Sequence, residues 1–226
     1  MTSTNLDKIK NEYKELANYL KNFPDKTFII SNWEGDNEVY CGAAYYATTE
    51  TCPNYANNLN GFKQWVGAYS DGIKLAGASN VFSAVEFNIV NALKNKNLPS
   101  ILHDVIPSVG TDYISYSSYE SINPIISGDN GNILNADLTT IKRVSGKNAS
   151  NIIIGEYGFG DGDRTNNKNH LETATSIFDQ NGIKNYFVWS LLDSGGNFGL
   201  YDVNSVLTES GNYVCSLSLG RGCVTR

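Results

Sequence analysis

Three glutamates carry the chemistry that this sequence offers. Glu34 stands in Ser31-Asn32-Trp33-Glu34-Gly35-Asp36, Glu86 in Val85-Glu86-Phe87-Asn88, and Glu156 directly after Ile152-Ile153-Ile154-Gly155. A carboxylate placed right behind a buried apolar run either has a function or needs a costly partner. Two such groups on different strands, facing each other, suit the cleavage of an acetal. One gives a proton to the leaving oxygen and then activates water, while the other attacks the anomeric carbon. Their pKa values must differ, so that one is ionised while the other holds its proton. Asn32 offers an amide to a sugar hydroxyl, and Trp33, Tyr119, Tyr157 and Trp189 offer flat faces to sugar rings. Taken singly, Glu34 also reads as a solvated loop residue and Glu156 as half of a buried ion pair. Glu86 reads equally as structural or as a substrate contact. Trp65, inside a helical pattern, reads as core.

The elements that must position these residues follow from periodicity. Residues 5–22 place Leu6, Ile9, Tyr13, Leu16 and Leu20 at helical spacing, with Pro24 beyond the end. Strands are expected at 26–33, 81–87, 112–119, 151–160 and 185–193. Helices are expected at 55–78, with Leu59, Phe62, Val66, Ile73 and Leu75 as core, and at 88–97, 136–146, 170–182 and 208–219. Residues 34–54 read as a long polar loop. The strand runs FIIS, IIIG and YFVW do not alternate, as expected when helices cover both faces of a parallel sheet. Every candidate residue then falls at the C-terminal end of a strand, the face on which (β/α) barrels build their sites. No repeat or linker divides the chain, so residues 1–226 read as one α/β domain.

Composition narrows the partners. The chain has 226 residues, 17 basic against 23 acidic, and a formal net charge of −6. That balance gives no basic face for nucleic acid and suits a neutral ligand. No apolar run reaches the ~20 residues of a membrane span. The only histidines, His103 and His170, lie apart, and no metal-ligand spacing is present. No metal or cofactor is expected. The four cysteines form two local pairs, Cys41/Cys52 and Cys215/Cys223, which suit two disulfides in an oxidising compartment. The sequon Asn148-Ala149-Ser150 points the same way, to an extracellular or secretory setting, although Met1 to Asn5 run straight into a polar helix without a signal peptide.

At these residues the chain resembles the clan A glycoside hydrolases. FIISNWE with Glu34 resembles the clan's strand 4 motif, which ends in the acid/base glutamate, and IIIGEYG with Glu156 resembles strand 7, which ends in the nucleophile. DYISYSSY resembles strand 6, where Tyr119 takes the place of the tyrosine that hydrogen-bonds the nucleophile. YFVWSLLD resembles strand 8, where Trp189 takes the place of the floor of the −1 sugar site. The resemblance runs from about residue 5 to 218. It departs from the clan in Trp33, which separates Asn32 from Glu34, and in Ser117, which replaces a common histidine. No counterpart of strands 1–3 is recognised, so the resemblance implies a parallel (β/α) barrel of TIM type in which strands 4–8 are recognisable and the N-terminal part is incomplete.

The resemblance implies a retaining glycoside hydrolase acting on a neutral oligo- or polysaccharide. Glu34 would be the acid/base, Glu156 the nucleophile, Tyr119 its orienter and Trp189 the sugar platform, with Asn32, Trp33 and Glu86 contacting substrate. The alternative is a non-catalytic carbohydrate-binding or structural extracellular protein. There a degenerate barrel would self-associate or pair with a missing N-terminal barrel segment, because parallel strand edges need covering. An acyl hydrolase is disfavoured, since no G-x-S-x-G elbow occurs.

Overall fold

The computed structural model describes residues 2–160, 164–193 and 196–219. Two compact units emerge, Met1–Ser117 with Thr139–Ile153, and Ser118–Leu138 with Ile154–Arg226. Each is described in turn.

The first unit opens with α1 (Ser3–Leu20), started by Thr2, whose hydroxyl accepts the Asn5 N–H. Then come β1 (Phe28–Ile30), α2 (Gly35–Val39), α3 (Tyr55–Leu75), β2 (Val81–Phe87), α4 (Ala92–Asn95) and β3 (Tyr113–Ser117). The buried seam of α1 passes through Ala17, while Leu16 is largely exposed. Leu75 at the end of α3 is exposed as well. Helices α1 and α3 pack backbone to backbone at Gly72, where any side chain would run into the Lys10 carbonyl. Strands β1 and β2 are parallel, with Phe28 beside Val81 and Ile30 beside Ser83. Strands β2 and β3 are parallel too, with Ala84 beside Tyr113 and Glu86 beside Ser115. β2 is buried almost throughout, as its unbroken apolar run implies. At the strands' N-terminal end the Asp112 carboxylate accepts the Ser83 N–H at 2.9 Å and its hydroxyl at 2.8 Å.

Two stretches differ from the sequence reading. The expected loop 34–54 contains α2 and a 3-10 turn, Ala44–Tyr46. The helix expected at 88–97 is limited to α4, and a π turn, Ile101–Val105, follows it. Side-chain bonds rather than apolar periodicity hold that turn. Ser100 Oγ accepts the His103 N–H, and the Asp104 carboxylate accepts the Ser100 N–H.

The chain continues through α5 (Tyr119–Ile126), α6 (Asn132–Ser145), β4 (Ile152–Tyr157), α7 (Arg164–Gln180), β5 (Asn185–Val188) and α8 (Glu209–Leu219). Within the first unit, Lys147 Nζ donates to the Thr111 carbonyl, and Asn151 Nδ2 donates to the Asp112 carbonyl at 3.3 Å. In the second unit, Ser121 Oγ donates to Asp137 at 2.6 Å and so joins α5 to α6. Thr175 and Tyr213 share a hydroxyl hydrogen bond of 2.5 Å between α7 and α8. The strand order is β1-β2-β3-β4-β5, with helices between successive strands. The arrangement is parallel α/β, but the runs FIIS and YFVW are not buried on both faces as expected. β1 and β5 end the strand order, and Ile29 and Phe187 are exposed there.

Cys41 and Cys52 form a disulfide. The second expected pair involves Cys223, which lies outside the described residues. Among the described residues no helix is long and apolar enough to cross a membrane.

Candidate active site

In the first unit the site residues gather at the C-terminal ends of β1, β2 and β3. The chain leaves β1 and turns at Glu34, whose backbone is left-handed with φ 32° and ψ 65°. That conformation costs a non-glycine residue about 1–3 kcal/mol and persists only where its surroundings impose it. Here they do. The Glu34 N–H donates to Glu86 Oε1 at 3.0 Å, and the Glu34 carbonyl accepts the Glu38 N–H at 3.3 Å. The next residue must be small, because a Cβ on Gly35 would lie 2.7 Å from both the Glu86 carbonyl oxygen and the Phe62 ring.

Glu34 is 8% exposed. Ser117 Oγ donates to its Oε1 at 2.7 Å, and Asn37 Nδ2 donates to its Oε2 at 2.5 Å. Both donors are neutral. Glu86, 6% exposed, accepts from Ser115 Oγ at 2.5 Å on its second oxygen, as the β2–β3 register dictates. Burial raises the Glu86 pKa above the usual carboxylate range, and the charge of Glu34 adds to the shift. The bonds from Ser115 and from the Glu34 N–H oppose it.

Asn32 grips the Glu86 peptide from both sides. Its Nδ2 donates to the Glu86 carbonyl and its Oδ1 accepts the Glu86 N–H, each at 2.9 Å. Trp33 between them is 58% exposed. Asp36, fully buried, accepts the N–H groups of Asn88, Ile89 and Ile101 at 2.8–3.1 Å and so fixes α2 to the segments that follow β2. Thus Asn32, Trp33, Glu34 and Glu86 come together in one unit. Ser115, Ser117, Asn37 and Asp36 complete the cluster. Strand register brings Ser115 to Glu86.

The second unit holds Tyr119, Glu156 and Trp189. Glu156 is the penultimate residue of β4, and its carbonyl accepts both the N–H and the hydroxyl of Ser118, at 2.9 and 3.0 Å. Tyr119 therefore opens α5 beside the end of β4 rather than ending a strand, and its ring meets Phe198 edge-on at 6.3 Å. Trp189 lies just past β5, 51% exposed, with its N–H on the Tyr157 carbonyl at 2.8 Å and a cis peptide bond to Ser190. Gly158 permits this approach, since any side chain there would strike the Trp189 carbonyl.

Two aromatic assignments are corrected. Tyr157 is fully buried, edge-on to Phe178 and Tyr186 at 5.3 and 5.8 Å, and is no sugar platform. Neighbouring strand residues face opposite ways, and Tyr157 faces Phe178 of α7. Trp65 is only half-buried and borders a cleft beside Trp33 instead of filling the core.

The fold is shared with solved glycosidases. A β-glycosidase from Pyrococcus horikoshii aligns over 99% of this chain and 67% of its own, with a TM-score of 0.66 and 15% identity. Endo-glycoceramidase II from Rhodococcus sp., determined as a lactosyl-enzyme intermediate, aligns over 92% of this chain and 44% of its own, with a TM-score of 0.54 and 17% identity. A hyperthermophilic β-glucosidase mutant aligns over 94% of this chain and 61% of its own, with a TM-score of 0.58 and 16% identity. The chain thus spans between 44% and 67% of the length of these three proteins. No family model and no curated protein matches the sequence. The chain has a glycoside-hydrolase-like α/β fold, with five successive strands of the kind that make up a (β/α) barrel.

Proposed function

We propose that the chain carries the catalytic carboxylates of a retaining glycoside hydrolase of the clan A type, acting on a neutral oligo- or polysaccharide. The observation that carries this reading is the setting of Glu34. It is a nearly buried carboxylate at a strand end, held by two neutral donors and no described cation, with a second buried carboxylate against its backbone. Asp36, also buried, spends its carboxylate on three backbone N–H groups, whereas Glu34 stands at a strand end beside a second carboxylate, where (β/α) barrels build their sites. Glu34, protonated, gives its proton to the glycosidic oxygen as the C1–O bond breaks. Glu156 attacks C1 and forms a glycosyl ester. The Glu34 carboxylate then takes a proton from water, whose oxygen displaces Glu156 from C1. Tyr119 orients Glu156, and Trp189 supports the sugar ring. The Cys41–Cys52 disulfide supports a secretory or extracellular setting.

A non-catalytic, partner-dependent carbohydrate-binding protein is the second reading. The outer edge of β1 favours it, since among the described residues β2 alone pairs with that strand. Turnover separates the two. Glu156→Gln should abolish hydrolysis of aryl glycosides and retain sugar binding. Glu34→Gln should lose about 10²–10⁴-fold in kcat/KM on unactivated glycosides and far less on nitrophenyl glycosides, whose departure needs no proton. Activity of either variant equal to the parent on unactivated glycosides would reject the assignment.

A further inference from the structure

We propose that a cleft of about 650 Å³ between α2 and α3, adjoining the carboxylate cluster through Asn32 and Trp33, is a binding site for a neutral saccharide. Its walls are Trp33 before α2, Glu38 on α2, and Asn57, Asn58, Gly61 and Trp65 on α3. The volume lies within the ~300–1,000 Å³ of small-molecule sites. Trp33 is exposed, and Trp65 is braced by Phe62 at 5.7 Å and Tyr69 at 4.9 Å, so two indoles present surface to one cavity. Indole faces take the C–H faces of sugar rings, and amides take their hydroxyls. The Asn58 amide is already oriented by a 3.0 Å bond from its Nδ2 to the Val39 carbonyl. None of the described lining residues is cationic, which leaves an anionic ligand without a counter-charge.

Gly61 lies in α3 on the cleft wall, and a Cβ there would meet nothing within 4 Å, so the cleft has room at this position. Asn32 both borders the cleft and holds the Glu86 peptide, so the cleft adjoins the Glu34 cluster. On the glycosidase reading, this site holds sugar units beyond the bond being cleaved. Only that last step rests on the reading.

The test is calorimetric titration of the full-length Glu156→Gln chain with cello-, xylo-, manno- and laminaritetraose. At least one should bind. Gly61→Phe, which fills the cleft, should weaken that binding 10-fold or more with an unchanged melting temperature. Trp33→Ala, at an exposed side chain, should weaken it similarly and covers the case in which phenylalanine perturbs α3. No binding of any of the four sugars, or affinity unchanged in both variants, would overturn the proposal. Aryl-glycoside turnover by the unsubstituted chain is measured alongside. Absence of turnover together with cleft-dependent binding would reject the enzyme and keep the site.

Discussion

Glu86 is the residue whose environment makes the most specific demand on pH. Burial raises its pKa above the unfolded value of 4.5. The folded chain therefore holds this proton more tightly than the unfolded chain does. Its contribution to stability is greatest below the unfolded pKa and is lost as pH rises through the folded one. Urea midpoints measured from pH 4 to pH 8 should show that decline, and Glu86→Gln, which cannot ionise, should flatten it. Parallel profiles for parent and variant would show that Glu86 titrates normally. At this scale the sequence was legible where a carboxylate follows an apolar run and the structure brings two of them together, as with Glu34 and Glu86. It was silent on Ser115 and Asn37, because serine and asparagine are ordinary at strand ends and turns, and it marked Ser117 only as a departure from the clan's histidine. Register alone brings Ser115 to Glu86. The misplacement of Tyr157 has a simpler cause: two adjacent strand residues cannot both face the site.

Among the elements, the strands and long helices were the most legible, because buried runs and 3.6-residue periodicity are properties of the local sequence. Helix α2 was not. It is five residues long, begins at a left-handed glutamate, and owes its place to bonds made by Asp36 to distant N–H groups. No local pattern encodes such an element. Asp36→Ala should therefore do more than trim a helix. It strands three N–H groups, two of them just past β2 and one in the π turn. An unsatisfied buried donor costs about 1–3 kcal/mol, so a loss on the order of 3 kcal/mol is expected. Turnover should fall as well, since α2 carries the Asn37 that holds Glu34. Asp25→Ala, at an exposed loop position, is the control and should change neither. A urea midpoint for Asp36→Ala within error of the parent would show that α2 is held by something else.

For the whole molecule, the division into two units crosses the middle of α6 and the middle of β4. Unfolding one unit alone would cut a helix and a strand at points where neither has a natural stop. A single cooperative transition is the expected consequence. The Cys41–Cys52 bond tests it, because a disulfide acts mainly by restricting the unfolded chain. Its cysteines are 11 positions apart, and closing a loop of about that size is worth roughly 2–3 kcal/mol. The double variant Cys41→Ala/Cys52→Ala should lower the unfolding free energy by that amount. The three tryptophans report where the loss is felt: Trp33 and Trp65 belong to the first unit and Trp189 to the second. With cooperative unfolding, a chain keeping only Trp189 shows the same midpoint shift as one keeping only Trp65, although the disulfide lies in the first unit. Two transitions, with the Trp189 midpoint unmoved, would mean instead that the units unfold independently and that α6 and β4 fray at the boundary.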